Sequence, residues 1–189
     1  DPGRDALVET LWNTRSFNRA NTNARTYITL KPLKGLEITA NYAIDISDLR
    51  RKVYENPKVG DGTAGPARLN ILSSRSSTIN FNQLVTYKNK FNLNSIELLA
   101  GHESNAYSYE YFYSMKTAEI IPGVYEFGNF VNISEVSSYT DTYNKEGYFA
   151  RANYDYDSKY YASLSYRHDG SSIFSTENRW GDFWSFGAS

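Results

Sequence analysis

The stretch that most constrains this chain runs from Glu146 to Phe174. It reads as two strands joined by a tight turn at Asp157-Ser158-Lys159, followed by a glycine-containing loop. Tyr148, Ala150, Ala152, Tyr154 and Tyr156 fall on one face of the first strand, with Phe149, Arg151, Asn153 and Asp155 on the other. On the return, Tyr160, Ala162, Leu164 and Tyr166 alternate with Tyr161, Ser163, Ser165 and Arg167. A period of two over this length demands a sheet with one apolar and one polar face.

The same pattern recurs upstream. Ala24, Thr26, Ile28 and Leu30 alternate within 23–31, and Pro32-Leu33-Lys34-Gly35 makes a turn. Within 36–45, Leu36, Ile38, Ala40, Tyr42 and Ile44 oppose Glu37, Thr39, Asn41, Ala43 and Asp45. A second hairpin spans 79–87 and 93–101 across a Lys88–Asn92 turn. Ile79, Phe81, Val85 and Tyr87 share a face interrupted by Gln83, and Ile96, Leu98 and Ala100 continue it. Strands at 147–156 and 160–168 form the third hairpin, and a last strand occupies 183–189. Residues 1–22 read as a short helix or loop.

The turns within hairpins are short, whereas 46–77, 102–145 and 169–182 read as long connections. Soluble domains rarely carry structureless loops longer than about 12–15 residues. Outer-membrane barrels alternate short turns on one side with long loops on the other, and cross with strands of about 9–11 residues. The expected fold class is therefore all-β: antiparallel up-and-down strands forming part of a transmembrane β-barrel. Tyr87, Tyr154, Tyr156, Tyr160 and Tyr166, near strand ends, suit a membrane-interface girdle, where a ring in lipid carries a hydroxyl in water.

Composition agrees. Apolar residues make up 40% of the chain, below the roughly 45–50% usual for soluble domains. The apolar share is rich in aromatics: 17 Tyr, 10 Phe and 3 Trp against one Met. A wet inner wall explains this, because only alternate residues face lipid. A soluble β-sandwich that binds carbohydrate through its tyrosines shares the alternation and stands as the alternative. The net charge of −1 gives no electrostatic footprint for nucleic acid. The absence of cysteine removes disulfides and thiolate chemistry. No apolar run reaches the roughly 18 residues of a transmembrane helix. The opening Asp1-Pro2-Gly3-Arg4 lacks the basic start and apolar core of a secretory signal, so the residues read as a cytosolic protein or an internal piece of a longer one.

Several motifs carry a resemblance. Phe149-Ala150-Arg151-Ala152-Asn153-Tyr154-Asp155-Tyr156, then Lys159-Tyr160-Tyr161, then Arg167-His168-Asp169-Gly170-Ser171-Ser172-Ile173-Phe174 resembles a block of the SusC/RagA-like TonB-dependent transporters. Arg179-Trp180-Gly181-Asp182-Phe183-Trp184-Ser185 continues it, with Trp184 where the family shows proline. Leu99-Ala100-Gly101-His102-Glu103 and Lys34-Gly35-Leu36-Glu37 resemble further family segments. The resemblance implies an outer-membrane barrel of Gram-negative Bacteroidota, with 22 strands around an N-terminal plug. It implies import of oligosaccharides or peptides with energy relayed by TonB, beneath a SusD-like surface lipoprotein. About seven of those strands would lie here, and no plug or TonB-contacting segment is read in these residues. The remaining partners would be the rest of the barrel, the lipid bilayer and a glycan or peptide substrate.

Catalysis is not expected: no nucleophile–base pair or carboxylate pair can be placed on a shared site, and neither a cofactor nor a metal site is read. His102 and His168 each adjoin a carboxylate at a strand end and read as solvated groups. Gly60-Asp61-Gly62-Thr63 lacks the spacing of a phosphate or calcium loop and reads as a turn. Asn132-Ile133-Ser134 is a formal glycosylation sequon. In Asp169-Gly170-Ser171-Ser172, Asp-Gly reads as a tight turn whose hydroxyls satisfy backbone groups. Arg151 and Arg167 fall on the inward face, where a ladder with Asp155 and Glu97 suits a wet lumen. The segment holding Tyr107, Tyr109, Tyr111 and Tyr113 reads as a loop and is the leading substrate or lid contact, because alternating rings offer stacking faces.

Overall fold

A computed structural model describes residues 6–189. A short helix, α1 (Ala6–Trp12), precedes seven strands: β1 (Thr14–Leu33), β2 (Leu36–Glu55), β3 (Arg68–Phe91), β4 (Asn94–Glu119), β5 (Phe130–Tyr156), β6 (Tyr160–Ser171) and β7 (Trp180–Ala188). They form one antiparallel up-and-down sheet in sequence order. Among the described residues the sheet is single, without the second sheet of the sandwich alternative.

The strands are far longer than periodicity alone delimits. Much of the expected loops 46–77, 102–145 and 169–182 is strand, and the connections contract to 56–67, 120–129 and 172–179. The physical reason is pairing. Polar Ser, Thr, Asn and Tyr residues hydrogen-bond comfortably in a ladder with both faces wet, so strands continue where apolar alternation fades. Connections between hairpins still exceed the turns within them.

Two compact units divide the chain. The first comprises the residues up to Asn21 together with 46–76 and 108–141, and the second 22–45, 77–107 and 142–189.

In the second unit all three hairpin turns are tight. Gly35 has φ +84, and a side chain there would meet the Lys88 carbonyl oxygen at 2.1 Å, so only glycine serves. Asp157 and Ser158 both take φ 55, the mirror-image turn geometry that matches strand twist. Ser158 N–H donates to Asp155 Oδ1 at 2.8 Å, and Lys159 Nζ to Asp157 Oδ2 at 2.5 Å.

Pairing then sorts the two faces. Ala152 stands opposite Leu164 and Leu164 opposite Phe186, while Ala150, Tyr166 and Trp184 form the neighbouring row. The other face carries Phe149, Arg167 and Phe183 in one row and Arg151, Ser165 and Ser185 in the next. Side-chain bonds extend this polar face across the earlier strands: Thr29 to Thr39 at 3.1 Å, Asn41 to Asn82 at 2.7 Å and Asn105 to Asn80 at 2.7 Å.

The first unit holds a small core of its own. Leu69, Tyr54, Ala67 and Phe130 are buried, with Tyr125 and Phe127 packed on them. Asn129 staples the connection 120–129: its amide donates to the carbonyls of Ile121 (2.7 Å) and Val124 (2.9 Å) and accepts from Ile121 N–H (3.0 Å). Lys116 caps the Phe127 carbonyl at 2.8 Å. Lys52 reaches the Tyr125 carbonyl at 2.8 Å and Glu126 at 2.6 Å, and this cation holds the Glu126 carboxyl below its ordinary range.

Candidate functional site

On the polar face of the second unit, β4, β5 and β6 bring together an ion cluster around Arg167. Its Nε donates to Asp169 Oδ1 and Oδ2 at 2.7 and 2.6 Å, and its Nη2 pairs with Glu103. The guanidinium lies 5.5 Å from the centre of the Phe149 ring. Gly147 makes the space, since a side chain there would come within 2.6 Å of Asp169 Oδ1 and 3.1 Å of Arg167 Nη2. Period-two geometry explains why the residues on either side of His168, Arg167 and Asp169, can meet.

The expected ladder of Arg151 and Arg167 with Asp155 and Glu97 does not form. Arg151 Nε bonds Asn153 Oδ1 at 3.2 Å, Asp155 is used by the hairpin turn, and Glu97 pairs with Lys88 at 2.9 Å. These residues share a face, but each takes a different partner. Glu103 is the partner that periodicity left unassigned, because pairing between distant strands sets which carboxylate faces which arginine.

The Asp-Gly turn is likewise displaced. Asp169, Gly170 and Ser171 continue β6, and the chain turns at 172–173. Asp169 is held by Arg167, and Gly170 lies under Trp180, whose ring would sit 2.7 Å from a side chain there. The serine hydroxyls do serve the backbone: Ser172 Oγ accepts Asn144 N–H at 2.8 Å, and Ser171 Oγ accepts Ile173 N–H at 3.4 Å.

The histidines turn to the opposite face from their sequence-neighbouring carboxylates. His102 Nδ1 lies 2.8 Å from Gln83 Oε1 and its Nε2 3.0 Å from Glu146 Oε1, which explains the polar interruption at Gln83. His168 Nδ1 lies 2.7 Å from Asp182 Oδ1. His102 stacks on Tyr148 at 4.7 Å and His168 on Trp180 at 4.6 Å, so both belong to an aromatic row on the apolar face. Among the described residues, no three His, Asp or Glu side chains converge as metal ligands.

The five girdle tyrosines divide into two groups. Tyr154, Tyr156 and Tyr160 gather beside the 157–159 turn, with Tyr154 Oη donating to Asn94 Oδ1 at 2.5 Å and Tyr156 stacked on Tyr160 at 6.4 Å. Tyr87 lies beside the Gly35 turn. Tyr166 stands away from these turns and donates to Asp182 Oδ1 at 2.5 Å. The departure at Trp184 leaves a 76% exposed ring on the apolar face.

Tyr107 to Tyr113 lie in strand β4, not in a loop. Within the second unit, Tyr107 stacks on Tyr143 at 4.7 Å. Within the first, Tyr139 stacks on Tyr111 at 4.9 Å and lies 6.0 Å from Tyr109. Tyr113 stands apart from these ring pairs, and burial, aided by Glu135, pushes its phenol up. Tyr111 and Tyr139 line an open groove of about 650 Å³ with Arg19, Asp48, Ser74 and Glu110, all in the first unit. Tyr139 and Tyr143 complete ring pairs that the β4 pattern alone half described; their own spacing on β5 was the available signal.

No protein-family model matches the sequence, and no curated protein does. Solved structures do. The chain superposes on the RagAB peptide transporter with a TM-score of 0.86 at 22% identity, over 95% of its own length and 20% of that chain. The RagAB peptide importer in its "closed-closed" state gives 0.86 at 21% identity over 94% and 20%, and in its "open-open" state 0.85 at 22% over 95% and 20%. The chain thus spans about a fifth of the length of those chains, and the likeness is one of fold.

Proposed function

We propose that this chain is a stretch of wall from an outer-membrane transport barrel of the SusC/RagA-like, TonB-dependent kind. The observation that carries the reading is the exposed apolar face of the second unit. Ile28 (65%), Leu164 (53%) and Phe186 (68%) lie bare on it beside Tyr42, Ile79, Val85, Leu98 and Trp184. Water-soluble monomers rarely leave contiguous apolar patches beyond a few hundred Å² uncovered. Hydrocarbon on this face and water on the Arg167 face satisfy both. The fold match and the Arg-x-Asp-Gly-Ser-Ser motif support the same family.

In this reading the full protein imports peptides or oligosaccharides with TonB-relayed energy, working with a surface lipoprotein. Peptides are favoured, because the matching folds belong to a peptide importer. The tyrosines of β4 and β5 in the groove of the first unit are the substrate or lipoprotein contacts, since stacked phenols present flat apolar area with hydrogen-bonding rims.

Quenching by brominated lipid tests the barrel. In the full-length protein refolded into vesicles of brominated phosphatidylcholine, Trp184 fluorescence should be strongly quenched and a Trp184→Phe variant should lose that component. An unquenched Trp184, in a polypeptide that is folded and monodisperse without detergent, would remove the membrane reading.

A further inference from the structure

Beside the Arg167 cluster, the second unit forms a half-open pocket of about 520 Å³, within the size range of small-molecule sites. Ser171 is one of its lining residues. Lys145 stands directly opposite Ser171 in the β5–β6 register. Arg179 flanks it from the other side, its carbonyl accepting Ser171 N–H at 3.1 Å. Phe174 and Phe183 supply apolar lining, and Asn80 and Asn105 add amides.

The charges around this cavity are unequally committed. Three carboxylates line it and all are engaged: Glu103 and Asp169 on Arg167, and Glu146 on His102 and Tyr148. The two other cations are not so engaged. Lys145 Nζ rests over the Tyr143 ring at 5.4 Å. Arg179 Nε is shielded from solvent and has no hydrogen-bond partner among the described residues. Among the described residues no carboxylate pairs with the Arg179 guanidinium, and a carboxylate is the acceptor whose two oxygens match such a group.

The geometry points to a carboxylate-binding subsite at Ser171, in which Arg179 and Lys145 grip an acidic group of the imported ligand between Phe174 and Phe183. This inference rests on the transporter reading and deepens it by naming the ligand chemistry. The carboxylate belongs to a peptide or to a uronic-acid sugar, and both present the same charge and shape to the site.

Calorimetric titration of the full-length protein in detergent separates these sources. The probes are triglutamate and trigalacturonate, with triglutamine and maltotriose as neutral controls. At least one acidic probe should bind about tenfold more tightly than its neutral control, and more weakly as salt rises. Binding of triglutamate alone identifies a peptide ligand, and of trigalacturonate alone an acidic sugar. Arg179→Gln should cost about tenfold in that affinity. Lys145→Gln, at an exposed position that leaves the fold intact, should cost about threefold. Equal binding of acidic and neutral probes, or acidic binding indifferent to Lys145→Gln, overturns the subsite. A protein that inserts into lipid yet shows no acidic preference keeps the transporter reading and loses this one.

Discussion

At the scale of single residues, burial decides more than type. The chain has 17 tyrosines, and Tyr54 is 2% exposed while Tyr160 is 66% exposed. Burial pushes the Tyr54 phenol far above its ordinary value, and the Glu119 carboxylate, accepting its hydrogen bond at 2.9 Å, pushes it further. The folded state therefore holds this proton more tightly than the unfolded chain. Its contribution is complete below about pH 10, where an unfolded tyrosine ionises, and erodes as pH rises beyond that. Thermal unfolding followed from pH 8 to pH 11 should show stability falling above about pH 10, and Tyr54→Phe should flatten that fall. The variant should also cost about 1 kcal/mol at neutral pH, because Glu119 loses its donor. An unchanged alkaline slope would remove Tyr54 as its source.

At the scale of elements, turn chemistry and strand length follow different rules. The Asp157–Ser158 turn was legible because Asp and Ser tolerate it and the alternation stops on either side. Two non-glycine residues at φ 55 still carry strain. Ser158→Gly should therefore stabilise the hairpin by about 0.5–1 kcal/mol, read as a shift in the denaturant midpoint of the full-length protein. A destabilised variant would mean the serine makes a contact worth more than the strain. Strand length was not legible. In 102–119 and 130–145 tyrosines, polar residues and scattered aliphatics replace the apolar–polar alternation of the earlier strands, so no greasy face marks them as strand, yet backbone pairing carries β4 and β5 through them. The candidate tyrosines consequently stand on rigid ladders, where ring spacing is set by the sheet.

At the scale of the whole molecule, the two faces make the most direct prediction. Leu164→Arg should cost about 2–4 kcal/mol in a bilayer, whereas Ser165→Arg on the opposite face should be tolerated. Guanidine unfolding of the full-length protein in phospholipid vesicles measures both. Equal costs at the two adjacent positions would deny that one face meets lipid and the other water. The sequence by itself determined the fold class, the order of seven strands and which residues share a face, because alternation at period two is a local property. It also held the motif that suggests a family. The tertiary structure alone decided which partners meet: Arg167 with Glu103 instead of Glu97, and His168 with Asp182 instead of its neighbour, with Lys145 and Arg179 on either side of Ser171. Those pairings depend on register between strands, which the patterns of both strands and the geometry of their connections set together and no single strand encodes.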